Sequence, residues 1–95
     1  VCAVQPYDTE DEVFELANST RYGLQAGILT HDLGLAFRAA RELEFAAVTV
    51  NETPSWRVDH MPYGGVKESG NTREGPLYAV KEFTEERLVI VDYGD

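Results

Sequence analysis

Short apolar segments and amphipathic helices alternate along this 95-residue chain, and this alternation constrains its fold more than any other feature. Val1–Tyr7 is an apolar run typical of a strand that is covered on both faces in a parallel sheet. Further strands are predicted at Leu24–Thr30, Phe45–Val50 and Arg87–Tyr93. Because parallel strands need helical crossovers between them, this order predicts an α/β fold with a small, mainly parallel sheet and flanking helices.

Three helices are predicted between these strands. Thr9 and Glu12 form a capping box, which begins a helix from about Glu10 to Ser19. Asp32 can cap a second helix. The apolar residues of that helix recur at helical spacing: Leu33, Ala36, Phe37, Ala40 and Leu43. Pro76 fits the first turn of a third helix. A chain of this length forms one domain at most and is expected to bury one modest core.

The charge balance argues against several classes of partner. Lys and Arg total 8 against 17 Asp and Glu, which gives a formal net charge of −9 at pH 7. Such a field repels nucleic acid and anionic membrane surfaces, so neither is an expected partner. No apolar run approaches the about 20 residues of a membrane span, and no signal peptide is visible.

Cys2 is the single cysteine, so it cannot form an internal disulfide. Because it lies in an apolar run, without a His or cationic neighbour, it is expected to be a small buried hydrophobic residue; the alternative is a reactive nucleophile. A lone cysteine also fits a reducing cytoplasm.

The loop from Glu52 to Thr72 contains the most concentrated functional signal, in the segment WRVDHMPYGGVKESG. Tyr63 lies between Pro62 and Gly64–Gly65, so a fixed φ, an amphipathic ring and two permissive backbone positions follow one another. This order favours a ring aimed into a cavity; the alternative is a surface connection that its glycines turn. The loop leaves the third strand at its carboxyl end, where ligands bind in parallel sheets.

Other side chains of this loop suit an anionic ligand. Arg57 and His60 could together hold a carboxylate or phosphate, since a guanidinium binds such groups through two N–H donors. The alternative is an ion pair of Arg57 with Asp59 and an exposed His60. Trp56 is either a lid over a pocket or a plug of the local core.

Motifs for other chemistry are incomplete. The glycines match neither the dinucleotide fingerprint nor the phosphate-binding loop. His31 and His60 are far apart and lack a cysteine or carboxylate at ligand spacing, so no metal site is predicted. Ser55 and Ser69 are not in the G-x-S-x-G setting of a hydrolase nucleophile.

Three segments, in this order and spacing, carry a family resemblance: ANSTRYGLQAGILTHDLGLAFRAARELEFAAVTVN, MPYGGVKESG and REGPLYAVKEFTEERLVIV. Together they resemble the C-terminal part of the NAD(P)-dependent aldehyde dehydrogenase superfamily, over nearly all 95 residues. The WRVDHMPYGG form is most similar to the branch of lactaldehyde, succinate-semialdehyde, non-phosphorylating glyceraldehyde-3-phosphate and phosphonoacetaldehyde dehydrogenases. The resemblance implies a small and often anionic substrate.

The resemblance also implies a division of the chain and a parent enzyme. Residues 1–86 would form the last part of a catalytic domain, and residues 87–95 a closing strand that contributes to oligomerisation. The parent would oxidise an aldehyde to a carboxylic acid with NAD or NADP, as a dimer or tetramer in the cytoplasm.

The family's catalytic cysteine, general base and cofactor site have no match in this chain, and Cys2 does not match the catalytic cysteine. The chain alone is therefore expected to be inactive and to bind no cofactor, and its partners would be the rest of the enzyme and a second subunit. The alternative is a free-standing α/β interaction module without catalysis.

By motif position, the resemblance implies that Tyr63 lines the aldehyde tunnel. It places Trp56, Arg57 and His60 in the preceding substrate-gating loop. These four residues are the predicted substrate-binding set, and no catalytic, cofactor-binding or metal-binding residue is predicted. Where the family commonly shows S-G-x-G-R-E, this chain has Thr72 in place of the second glycine. Because threonine tolerates positive φ poorly, we expect a rearranged turn before the third helix.

Overall fold

Residues 1–94 are described in a computed structural model, which contains three helices and four short strands. The elements in chain order are α1 (Glu10–Asn18), β1 (Tyr22–Gly23), β2 (Gln25–Ile28), α2 (Leu33–Glu42), β3 (Ala47–Val50), β4 (Val66–Lys67) and α3 (Pro76–Phe83). The predicted α/β class and all three predicted helices are confirmed.

The centre of the fold is the β2–α2–β3 unit. Strands β2 and β3 pair in parallel, with a register that runs from Gln25 opposite Ala47 to Ile28 opposite Val50. Helix α2 makes the crossover that a parallel pair requires. This pair is the part of the predicted parallel sheet that forms.

The other two strands form a second, antiparallel sheet. Tyr22 lies opposite Lys67, and Gly23 lies opposite Val66. The four strands therefore divide into two separate two-stranded sheets instead of one mainly parallel sheet. Strand β4 lies inside the loop predicted over residues 52–72. It was not predicted, because two residues are too few to show an apolar alternation in the sequence.

The strands predicted at Val1–Tyr7 and Arg87–Tyr93 do not form in the described chain. Neither segment pairs with any other segment of residues 1–94. A strand exists through hydrogen bonds to a neighbour, so apolar sequence alone does not create one. Cys2 is consequently exposed, and the expected burial of its side chain is wrong. Asp95, the last residue of the predicted closing segment, lies outside the described residues.

Local sequence signals explain where each helix begins, a capping side chain for α1 and α2 and a proline for α3. The Thr9 hydroxyl accepts a hydrogen bond from the Glu12 N–H at 3.2 Å, as the capping box predicts. The Asp32 carboxylate accepts one from the Leu35 N–H at 3.1 Å. Pro76 is the first residue of α3. No helix within residues 1–94 is long and apolar enough to cross a membrane.

The predicted core is only partly built within the chain. Phe14 of α1 and Ala39 of α2 are the only buried apolar residues among those described. The accessible surface is 7952 Å², whereas a compact protein of this mass exposes about 5,500 Å². The radius of gyration is 19.0 Å, against about 12 Å for a compact domain of this length. The chain thus leaves much of its apolar surface uncovered.

Helix α2 illustrates this exposure. Of its predicted apolar stripe, Ala36 and Leu43 are partly buried, whereas Leu33 is 70% exposed and Phe37 is 58% exposed. The apolar residues of the helix lie on one broad face, and Ala39 is the one buried residue of that face. The periodicity located the helix and its apolar face, but it could not show how little of that face the chain itself covers.

Arg38 joins the two long helices. Its guanidinium pairs with Glu10 and Asp11 of α1 and with Glu42 of its own helix. It also lies over the Phe14 ring, 4.5 Å from the centroid. The hydrogen bond to Asp11, with a further contribution from Glu42, raises the pKa of Arg38. The cation is therefore present at every pH below the ordinary arginine value.

Candidate functional site

The candidate site is built on the carboxyl ends of β2 and β3. Asn51 directly follows β3 and has a φ of 58°, the left-handed conformation that asparagine tolerates better than most residues. Its carboxamide makes two hydrogen bonds to the backbone of Thr30, just beyond β2. The Thr30 N–H donates to Oδ1 at 2.8 Å, and Nδ2 donates to the Thr30 carbonyl at 2.8 Å. The start of the loop is thereby fixed against the end of the parallel pair.

Two open cavities flank this point. The first, of about 370 Å³, is lined by Gly27, Leu29, Asn51, Glu52, Thr53 and Pro54. The second, of about 490 Å³, is lined by Val48, Thr49, Val50, Asn51, Glu52 and Trp56. Both lie at the end of the parallel strands where ligands bind in α/β folds. Asn51 and Glu52 line both cavities. The sequence did not predict a site role for either residue, because both resemble ordinary residues that follow a strand.

Trp56 is a wall of the second cavity. It is 48% exposed, so it does not plug the core that residues 1–94 form among themselves. Its carbonyl accepts a hydrogen bond from Gln25 Nε2 at 3.0 Å, which ties the loop to the start of β2. The ring is therefore placed beside the carboxyl end of β3 and remains accessible to a ligand.

Arg57, Tyr63 and Glu74 form a cluster farther along the loop. Tyr63 and Glu74 form an isolated antiparallel bridge in which each N–H donates to the other residue's carbonyl. Arg57 Nη2 donates to Glu74 Oε2 at 3.0 Å. The Arg57 guanidinium also lies over the Tyr63 ring, 4.3 Å from the centroid. This arrangement presents a stacked, half-exposed cation next to the ring that was predicted to line a pocket.

The predicted partners of Arg57 are not those found. Among residues 1–94, its ion pair goes to Glu74, and not to Asp59 as one alternative held. His60 is exposed and makes no hydrogen bond or ion pair to any described residue. The structure thus brings Arg57 and Tyr63 together, places Trp56 at a cavity and leaves His60 outside this cluster. Glu74 was missed because it is 17 residues from Arg57 in the chain and no local pattern signals the contact.

The glycine pair after Tyr63 is required by close backbone contacts. A Cβ on Gly64 would lie 2.1 Å from the Thr72 carbonyl oxygen, and one on Gly65 would lie 2.5 Å from the Ser69 Cβ. Arg73 fastens the same turn by donating from Nη1 to the carbonyls of Gly65 and Thr72, at 2.8 and 2.9 Å. The two glycines therefore allow the chain after Tyr63 to contact residues 69–72 closely, in addition to allowing a turn.

Thr72 stands where related sequences commonly have glycine, but its φ is not positive. The described non-glycine residues with positive φ are Asn51 and Lys67. Before α3, positive φ falls on Gly70 (142°) and Gly75 (112°). Two glycines thus take the conformations that threonine would resist.

Within residues 1–94, no group of three or more His, Cys, Asp or Glu side chains could hold a metal ion.

Comparison with known proteins gives a consistent result. Residues 1–89 match the sequence model of the aldehyde dehydrogenase family. The chain is 53% identical over 90 residues to 3-sulfolactaldehyde dehydrogenase of Priestia aryabhattai, which is 95% of this chain and 19% of that protein. It is 44% identical over 82 residues to lactaldehyde dehydrogenase of Methanococcus vannielii, covering 86% of this chain and 18% of that protein.

A solved structure shows the same relationship. Glyceraldehyde-3-phosphate dehydrogenase GapN of Methanocaldococcus jannaschii, complexed with NADP, aligns with a TM-score of 0.76 and 45% identity. The alignment covers 79% of this chain and 16% of that one. The chain therefore spans about a fifth of the length of the proteins it matches.

Proposed function

The chain belongs to the aldehyde dehydrogenase family, and we propose that it supplies part of the substrate pocket of an enzyme that oxidises an aldehyde to a carboxylic acid with NAD or NADP. NAD or NADP, bound by the rest of such an enzyme, would supply the hydride acceptor for this oxidation. The NADP complex of the Methanocaldococcus protein supports this choice of cofactor. The Gly64–Gly65 pair is not an open phosphate cradle, because Thr72 and Ser69 fill the space around it. Its share of the reaction is to bind and select the aldehyde.

We assign substrate selection to Trp56, Arg57, His60 and Tyr63. The observation that carries this assignment is the Arg57 guanidinium, which lies over the Tyr63 ring, 4.3 Å from its centroid, and is 40% exposed. A guanidinium is planar and presents its N–H donors along its edges, the geometry that carboxylate, sulfonate and phosphate groups accept. His60 is exposed nearby in the sequence and can add a further hydrogen bond to such a group.

The names of two relatives sharpen the choice of substrate. One acts on 3-sulfolactaldehyde and the other on lactaldehyde, and these aldehydes differ by one anionic sulfonate group. Arg57 provides a partner for such a group. We therefore propose that the substrate is a small aldehyde with an anionic end.

The exposed apolar surface supports the proposed partners. The Leu33 and Phe37 face of α2 is uncovered, and so are Leu88–Val91. We propose that the rest of the enzyme covers residues 1–86, and that residues 87–95 add a strand to a neighbouring subunit of a dimer or tetramer. We place this enzyme in the cytoplasm, which suits a chain with one cysteine.

The test compares two aldehydes in the full-length enzyme that carries this chain. Arg57→Ala should raise KM for 3-sulfolactaldehyde about tenfold or more, because hydrogen bonds to a charged group contribute about 1.5–3 kcal/mol. KM for lactaldehyde should change less than twofold. Equal effects on the two aldehydes would remove the assignment of Arg57 to an anionic group.

The chain itself offers a matched control. Arg21 also lies over an aromatic ring, 5.0 Å from the Tyr22 centroid, and pairs with a carboxylate, Glu68, at 3.4 Å. It lies outside the candidate loop, so Arg21→Ala should leave the preference between the two aldehydes unchanged. The isolated 95-residue chain should oxidise neither aldehyde, and turnover by it would contradict the assignment of the reacting groups to the rest of the enzyme.

A further inference from the structure

Arg57 already has an anionic partner within the chain. Of the five N–H donors of its guanidinium, one is bonded to a described residue, and that bond goes to Glu74 Oε2 at 3.0 Å. The other donors make no hydrogen bond within residues 1–94. A ligand can therefore reach the guanidinium while Glu74 stays in place.

Glu74 is held in this position by its backbone. Its N–H and carbonyl both bond to Tyr63, the residue whose ring supports Arg57. The bridge holds the backbone of Glu74 beside Tyr63, so its carboxylate stays within reach of Arg57. It is 63% exposed, so it faces water and is not sealed away from an approaching ligand.

We propose that Glu74 is a specificity-determining residue that limits how strongly Arg57 attracts the anionic end of a substrate. This inference rests on the proposed function of Arg57. A carboxylate, sulfonate or phosphate bound to the free edge of Arg57 would come close to the Glu74 carboxylate, and two like charges repel each other. Glu74 therefore lowers the preference for acidic aldehydes that Arg57 creates, and has little effect on neutral ones.

The variant that isolates this charge is Glu74→Gln in the full-length enzyme. Glutamine keeps an oxygen that can accept the Arg57 N–H, and it keeps the backbone bridge to Tyr63, but it removes the negative charge. The readout is the kcat/KM for 3-sulfolactaldehyde divided by that for lactaldehyde. This ratio cancels any general loss of activity that affects both aldehydes equally.

We expect the ratio to rise about threefold in Glu74→Gln, through a lower KM for the sulfonated aldehyde, a modest change because exposed charges interact weakly in water. The rise should be largest at low salt and shrink at 1 M salt, where charges are screened within about 3 Å. In an Arg57→Ala background, Glu74→Gln should leave the ratio unchanged, because no cation then holds the anionic end of the substrate beside Glu74. Glu68→Gln, which frees Arg21 in the same way, is the control and should leave the ratio unchanged.

The outcomes separate this inference from the proposed function. If Arg57→Ala lowers the ratio and Glu74→Gln does not raise it, the role of Arg57 stands and the role of Glu74 is refuted. If Arg57→Ala does not lower the ratio, both fall. A rise in Glu74→Gln that persists in the Arg57→Ala background would also refute the proposal, since Glu74 would then act without Arg57.

Discussion

The central segment, residues 10–83, and the two terminal arms, residues 1–9 and 84–94, contain similar apolar sequence but differ in structure. Ala47–Val50 forms β3 and pairs with β2 along its whole length. Leu88–Val91 is at least as apolar and β-branched, yet its side chains are 60–84% exposed and it joins no sheet among residues 1–94. The difference is the presence of a neighbouring strand.

A short connection supplies that neighbour in the central segment. Helix α2 brings β3 back beside β2 within the same 30-residue stretch of chain, so the pair needs only local contacts. The arms lie at the two ends of the chain and have no described segment to pair with. Apolar sequence is thus a requirement for a strand, and a partner decides whether the strand forms.

The largest expected effect in the central segment comes from Gly64→Ala. Its Cβ would lie 2.1 Å from the Thr72 carbonyl oxygen, so the backbone on one side must move. We expect a loss of about 3 kcal/mol in the free energy of unfolding, as for severe overpacking. Urea unfolding of the chain, followed by the fluorescence of Trp56, measures it, since this single tryptophan lies in the same loop.

Gly34→Ala is the matched control for that variant. The nearest atom to its Cβ belongs to the flexible Asp32 side chain, at 3.0 Å, and alanine favours the helix. The free energy of unfolding should stay within about 1 kcal/mol of the parent. A similar loss in both variants would show that the crowding at Gly64 is not what makes this loop sensitive.

A smaller effect is expected where the loop joins the parallel pair. Asn51→Gly retains the positive φ but loses both side-chain hydrogen bonds to Thr30. The expected loss is about 2 kcal/mol, since each such bond contributes about 1 kcal/mol. Asn51→Asp retains the oxygen that accepts the Thr30 N–H but sets its second oxygen against the Thr30 carbonyl oxygen, so it should lose about as much as Asn51→Gly. Unchanged stability in Asn51→Gly would mean that β2 and β3 hold their ends together without this side chain.

Sequence reasoning succeeded for elements that local chemistry determines. The caps at Thr9 and Asp32 and the proline at the start of α3 placed all three helices, because such start signals lie within four residues of the helix start. The β2–α2–β3 unit was predictable for the same reason. Strand β4 was not, because its pairing with β1 joins residues more than 40 positions apart.

The candidate site divides in the same way. The glycine pair after Tyr63 was predictable as a special backbone position, and the structure supplies the close contact that requires it. Trp56 was correctly placed in a loop beside the strand end, but its exposure depends on what surrounds it. The Arg57–Glu74 pair depends on a backbone bridge between distant segments, and residue types in one loop could not reveal it.

The smallest expected effect distinguishes the arms from the central segment directly, with the same substitution in each. Val89→Lys should change the free energy of unfolding of the chain by less than about 0.5 kcal/mol, because Val89 is exposed and unpaired. Val48→Lys, in the middle of β3, should lower the free energy of unfolding by about 1 kcal/mol or more.

If the C-terminal arm instead adds a strand to a second subunit, Val89→Lys should reduce self-association at high concentration, because lysine protects a strand edge from pairing. Light scattering measures the self-association, and urea unfolding measures the stability of the chain itself. A loss of stability in Val89→Lys that does not depend on concentration would show that the arm packs on its own chain, and the contrast between the two regions would fail.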